Sequence, residues 1–149
     1  MVDGNRQLVE QVFRDANFTR SMGIELSAFG LGWCETQLKI SPVLFQQHEF
    51  VHAGVLMTLA DHTCGGAAAS TVPEDKDVIT VENKVSFLRP GTGRILKCRA
   101  EVLRTGRSLI FVEATVTAER NDGPVMVAKA SSTLAIIPVK TRDGAKVNE

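Results

Sequence analysis

At 149 residues the chain is long enough for one domain with a substantial core and too short for two ordinary ones. Lys plus Arg and Asp plus Glu each number 17, so the chain has no net field to gather nucleic acid or an anionic membrane surface. Cys34, Cys64 and Cys98 are odd in number and form no CxxC pair, which argues against a disulfide framework and against a zinc site; no metal is expected.

Residues 1–7 hold no basic stretch leading into an apolar run, and no segment reaches the roughly 18 apolar residues of a membrane span. A soluble, cytoplasmic protein is expected. Asp3 or Asn5 can cap one amphipathic helix over about residues 4–18, ending near the Met22-Gly23 region, in which Leu8, Val9, Val12, Phe13 and Ala16 recur at helical spacing. From Trp33 to Ile40 the chain alternates, with Cys34, Thr36, Leu38 and Ile40 on one side, as a half-buried strand does. Pro42 and the run Gln46, Gln47, His48, Glu49 then predict a loop that delivers polar side chains to the next segment.

That segment, VHAGVLMTLADHTCGGAAAS, predicts a central helix over about 53–70. A solvated turn follows at 72–77, and after it only strand-like stretches, at about 78–89, 94–104, 108–119 and 125–137. Gly106 and Asn121-Asp122-Gly123-Pro124 mark reversals between them. Ile110, Val112, Ala114, Val116 and Ala118 share one face, as do Met126, Ala128, Ala130, Ser132, Leu134 and Ile136. The only long apolar element able to cover that face is the central helix. The expected fold is therefore α+β, a single domain over 1–149 in which an antiparallel sheet curls around one helix, with a flexible tail at 139–149.

Between Glu49 and Glu74, Asp61 is the only Asp, Glu, Lys or Arg, so a carboxylate stands alone in a helix that is apolar nearly all round. On a helical wheel it shares its face with Gly54, Met57, Cys64 and Gly65, none of them a cation, so its partners must come from other elements. It is either a buried acceptor held by a neighbouring loop or a desolvated base or nucleophile. The helix starts at His52 and Ala53, where free N–H groups and the positive end of the helix dipole suit a developing oxyanion, and Gly54 permits close approach. At 1.5 Å per residue Asp61 lies about 12 Å from the Ala53 amide, too far for one carbonyl to meet both. Two antiparallel copies of the helix bring the amide end of one beside the carboxylate of the other, so an obligate dimer is expected.

Gln46, His52-Ala53-Gly54, Leu59-Ala60-Asp61, Thr80 and Phe87-Leu88-Arg89-Pro90 before Gly93 together resemble the hotdog-fold acyl-CoA thioesterases of the phenylacetate-pathway, PaaI-like type, over about residues 6–138. The resemblance implies hydrolysis of an acyl-CoA with an aryl or medium-chain acyl group by a homodimer or homotetramer. Coenzyme A would be part of the substrate and a product; no cofactor is implied. It casts Asp61 as nucleophile or as general base for water, with a slight lean towards base, Gln46 as the amide near the thioester and Asp, and Ala53 as the oxyanion donor. Thr80 becomes the hydroxyl that helps hold water and His52 the residue that orients the loop. Gln46 stands where this subgroup more often has Asn, Glu49 where it has a loop glycine, and Ala53 where it has the first glycine of HGG. Ala53 still offers its N–H.

Phe50, Met57, Leu56 and Phe87 suit an acyl pocket, and Arg89, Arg94, Arg104 and Arg107 are loop-borne guanidiniums that could grip coenzyme A phosphates or simply be solvated. His48 and His62 lack ligand-spaced partners and read as solvated or structural. Cys64 has no histidine placed to activate it and reads as a small core residue. Two other readings share the fold: a non-catalytic acyl-CoA sensor, which binds without releasing thiol, and a hydratase or dehydratase, whose signatures pair a histidine with a carboxylate differently.

Overall fold

The apolar run Ala53–Ala69 forms helix α3 in the computed structural model, which describes residues 5–139. Its sequence leaves no polar stripe for water, so most of it is sunk into the domain: Val55, Leu56, Leu59, Ala60, Thr63, Cys64 and the run from Gly66 to Ala69 are buried. What surrounds it is one sheet. Ahead of α3 lie the helices α1 (Arg6–Asp15) and α2 (Asn17–Met22), the strands β1 (Ile24–Gly30) and β2 (Trp33–Lys39) and a 3-10 turn at Pro42–Leu44. After it come β3 (Lys76–Phe87), β4 (Ile95–Thr105), β5 (Leu109–Arg120) and β6 (Gly123–Pro138).

The six strands run in the order β1-β2-β4-β5-β6-β3, each pair antiparallel. Alternation sends Cys34, Thr36 and Leu38, then Leu96, Cys98 and Ala100, then Ile110 through Ala118 at every second position, onto α3. The hydroxyls caught in this layer are satisfied: Thr63 donates to the Leu59 carbonyl at 2.6 Å and accepts from Thr36 at 2.7 Å. At Gly66 a Cβ would stand 2.8 Å from both Cys34 Sγ and a Phe13 ring carbon, so only glycine lets α3 lie this close to β2 and α1.

The sheet wrapped around one helix is the architecture expected from the sequence, and the central helix and four later strands fall within a few residues of their expected bounds. Three expectations change. The N-terminal helix over 4–18 is two helices, broken at Ala16, whose backbone is extended (φ −82°, ψ 93°). Asn5 does cap the first, accepting from the Leu8 N–H, and Gly23 (φ 89°) closes the second. Strand β1 was not foreseen, because a bulge between Leu26 and Ala28 breaks its alternation. Met126 is 43% exposed rather than inward, because a register shift between Val116 and Thr117 against β6 turns Val127 in its place. The expected flexible tail lies, but for Val139, outside the described residues. No helix among those residues is long and apolar enough to cross a membrane.

Candidate active site

Asp61 sits half-buried near the middle of α3, and its partner comes from β3, the edge strand: Thr80 Oγ1 donates to Asp61 Oδ1 at 2.9 Å. Among the described residues no cation is paired with it. Burial lifts its pKa above the ordinary carboxylate value, and the Thr80 hydrogen bond only partly offsets that. This is a desolvated carboxylate held by one hydroxyl, a group made more basic by its surroundings.

Eight residues earlier the helix begins. His52 is the N-cap, extended at φ −60° and ψ 140°, and its Nδ1 accepts the Gly54 N–H at 2.8 Å. The His52 N–H donates to the Leu44 carbonyl at 2.9 Å, and the His52 carbonyl takes the N–H groups of Val55 and Leu56. That accounting leaves one amide of the first turn without an acceptor among the described residues: Ala53, which is exposed. Of the two free N–H groups expected from the sequence, at His52 and Ala53, the first is taken by the Leu44 carbonyl.

The loop leading in is bent at Glu49, which adopts the left-handed region (φ 64°) otherwise favoured by glycine. Gln46 closes this bend. Its backbone N–H donates to Phe50 (2.9 Å), its carbonyl accepts from Glu49 (3.1 Å), and its side-chain Oε1 accepts from the His48 N–H. The Gln46 side-chain NH2 is therefore the part of that amide not used within the loop.

Phe50, Val51, Ala53, Leu56, Phe87, Leu88, Arg89, Pro90 and Gly91 line a cavity of about 280 Å³ at this end of α3. Expected site residues Phe50, Ala53 and Arg89 thus come together, with Gln46, His52 and Gly54 adjoining them. Met57, 41% exposed, lies between this end and Asp61 on the open side of the helix. Arg104 and Arg107 are not brought to the cavity: they flank the β4–β5 turn at the opposite end of α3, where Thr105 Oγ1 meets Thr71 Oγ1 at 3.1 Å. Cys64 is buried in the core, and burial pushes its thiol up to about 12, which disfavours the thiolate a nucleophile needs. His62 is structural: its ring meets Phe13 edge-on at 4.5 Å, its Nε2 lies 3.1 Å from Thr19 Oγ1, and burial lowers its pKa to about 4. His48 is exposed and stacks on Phe50.

Arg120, not singled out from the sequence, donates to the Pro90 carbonyl on the cavity wall at 2.6 Å. Nothing in its neighbourhood in the chain signals this, since Pro90 and Arg120 meet only through the pairing of the sheet.

Residues 48–125 match the Thioesterase superfamily. A thioesterase family protein of Silicibacter pomeroyi has the same fold at a TM-score of 0.88 and 34% identity, over 91% of this chain and 100% of that one. A Listeria monocytogenes protein named 1,4-dihydroxy-2-naphthoyl-CoA hydrolase is 26% identical over 66% of this chain and 80% of its own. The E. coli PaaI protein of the phenylacetic acid degradation operon shares the fold at a TM-score of 0.79, over 89% of this chain and 93% of that one, with 19% identity. A desolvated carboxylate on a central helix, a vacant amide at that helix's start and a sheet wrapped around both thus occur in a chain that belongs to the thioesterase superfamily: it is a hotdog-fold thioester hydrolase.

Proposed function

We propose that the protein hydrolyses an acyl-coenzyme A carrying an aryl or medium-chain acyl group to free acid and coenzyme A, as a homodimer at least, with each active site shared between two copies. One observation carries this reading. The one amide of the first helical turn with no acceptor among the described residues, at Ala53, and the basic carboxylate of Asp61 stand about 12 Å apart along α3, whereas one reacting carbonyl needs both near 3 Å. A second copy supplies the missing half. Two exposed features of the protomer suit it: the side of α3 bearing Gly54, Met57 and Asp61, and the edge strand β3 with Ile79, Val81 and Phe87.

In this mechanism the thioester carbonyl oxygen points at the Ala53 N–H of one copy. Asp61 of the other takes a proton from water as the water oxygen bonds to the carbonyl carbon. The oxyanion collapses, the C–S bond breaks, and the proton returns to the departing sulfur. Thr80 fixes the Asp61 carboxylate, His52 fixes the start of the helix, and the Gln46 NH2 group faces the thioester. Arg89, exposed on the cavity wall, meets the coenzyme A moiety, and Phe50, Leu56, Met57 and Phe87 supply apolar surface without choosing between ring and chain. The named activity of the Listeria relative supports an acyl-CoA substrate of the aryl kind.

Subunit complementation tests the shared site. Ala53→Pro and Asp61→Asn chains, each expected to lose about a hundredfold or more in kcat alone, are mixed after reversible dissociation. Half of the reassembled dimers carry one chain of each kind, and each of those has one intact site, so about a quarter of wild-type turnover per chain returns. Sites built within one chain would recover nothing on mixing.

A further inference from the structure

The turn over residues 88–94 is the part of the sheet that meets the start of α3. Its arms are anchored on the end of the β5–β6 hairpin. Leu88 N–H donates to the Val127 carbonyl at 2.8 Å, Arg89 Nη1 to the Met126 carbonyl at 3.0 Å, and Arg94 N–H to the Glu119 carbonyl at 3.0 Å. Gly93 makes this approach possible: its φ is 125°, and a Cβ there would lie 2.3 Å from the Glu119 oxygen.

Between those anchors the tip is held by Arg120. Its Nη2 donates to the Pro90 carbonyl at 2.6 Å, while its Nε is buried and has no acceptor among the described residues. A solvated surface arginine keeps its donors in water; this one is drawn in to reach a single backbone oxygen. The next carbonyl along, that of the buried Gly91, accepts the Val51 N–H at 3.0 Å, and Val51 is followed by His52 and Ala53. A continuous path joins the guanidinium to the vacant amide: one charge-assisted hydrogen bond, the backbone of Gly91, one backbone hydrogen bond, and the backbone of Val51 and His52.

We propose that Arg120 is a positioning residue for thioester hydrolysis: by holding the Pro90 carbonyl it fixes the Gly91–Val51 link and, through it, the direction of the Ala53 N–H. The proposal rests on the reading of that amide as the oxyanion donor. Hydrogen bonds weaken steeply as they bend, so an amide free to swing by a fraction of an ångström stabilises the oxyanion less while substrate binding is little changed.

The test uses full-length Arg120→Met, with kcat and KM for a hydrolysed acyl-CoA and the affinity for its non-hydrolysable thioether analogue. Expected is a kcat lower by about tenfold to a hundredfold with analogue affinity within about threefold of wild type. In an Ala53→Pro background, where the amide is gone, Arg120→Met is expected to lower the residual kcat no further. A folded Arg120→Met with wild-type kcat overturns the proposal, as does the same loss persisting in the Ala53→Pro background. If Arg120→Met does not fold, Arg120→Gln, polar but too short to reach Pro90, is put through the same measurements with the same expectations. The two readings fail separately: Ala53→Pro with undiminished kcat sinks the oxyanion assignment itself, whereas an impaired Ala53→Pro beside an unimpaired Arg120→Met sinks only the positioning role.

Discussion

Replacing Ala53 by proline removes one hydrogen atom from the proposed chemistry and almost nothing from the fold. Ala53 is the first residue of α3, its N–H has no acceptor among the described residues, and the preceding His52 is already extended (φ −60°, ψ 140°), the conformation a residue before proline prefers. Proline is favoured at the first helical position, where the missing N–H breaks no helical hydrogen bond. Stability should hold or rise by about 0.4–1 kcal/mol, through the stiffer unfolded chain. Loss of one oxyanion donor lowers kcat by about 10²–10³, equivalent to about 3–4 kcal/mol of transition-state stabilisation. The assay pairs thermal or urea unfolding with steady-state hydrolysis of an acyl-CoA, together with binding of a thioether analogue to show that the ground-state complex survives. A stable Ala53→Pro protein that keeps kcat within about threefold of wild type would refute the reasoning.

Asp61→Asn should be at least as stable as wild type at neutral pH. Because the folded pKa of Asp61 is raised, its contribution favours folding below the unfolded value and is lost as pH rises through the folded one, so Asn lifts a penalty present at neutral pH; unfolding from pH 4 to 8 checks this, and a less stable variant at pH 7 counts against it. The acid limb of the kcat/KM profile should lie above 3.8, the ordinary carboxylate value, and move higher still in Thr80→Val, which loses the hydroxyl that favours the ionised form. His62, held near 4 against an ordinary 6.5, stabilises the fold fully above about pH 6.5 and progressively less as pH falls towards 4. Across that window wild type should lose about 2–3 kcal/mol more than His62→Gln in denaturant unfolding, and equal pH slopes would rule this out. Glu49→Gly should relieve the left-handed backbone at φ 64° and stabilise the protein by up to about 1 kcal/mol, the glycine's greater freedom when unfolded cancelling part of the gain; a clear loss of stability is the contrary result.

The elements legible in the sequence are those whose burial is one-sided and regular. A helix apolar on every side, as at Ala53–Ala69, has to be enclosed, and four strands with clean alternation after it leave little else to enclose it. Bulges defeated the reading where it failed, because a single extra residue in β1 or a register shift beside Met126 inverts the inward set without altering composition. The break at Ala16 has no local signal, since alanine is a good helix former. Neighbours packed from elsewhere accompany it: Phe13 against Gly66 and His62, and Thr19 against His62. At the site, Asp61 announced itself as the lone charge in an apolar helix. Its hydroxyl partner Thr80 came only through the family resemblance, and Arg120 not at all, because contacts made by strand pairing leave no trace in a local window.

The most direct measurement follows loss of thioester absorbance, which the chain's own cysteines do not disturb, across aryl and aliphatic acyl-CoAs with wild type and Asp61→Asn. The account expects wild type to turn over at least one class and the variant, folded and equally oligomeric, to fall by about 10² or more. Binding of every acyl-CoA without hydrolysis by wild type, or undiminished hydrolysis by Asp61→Asn, would contradict it.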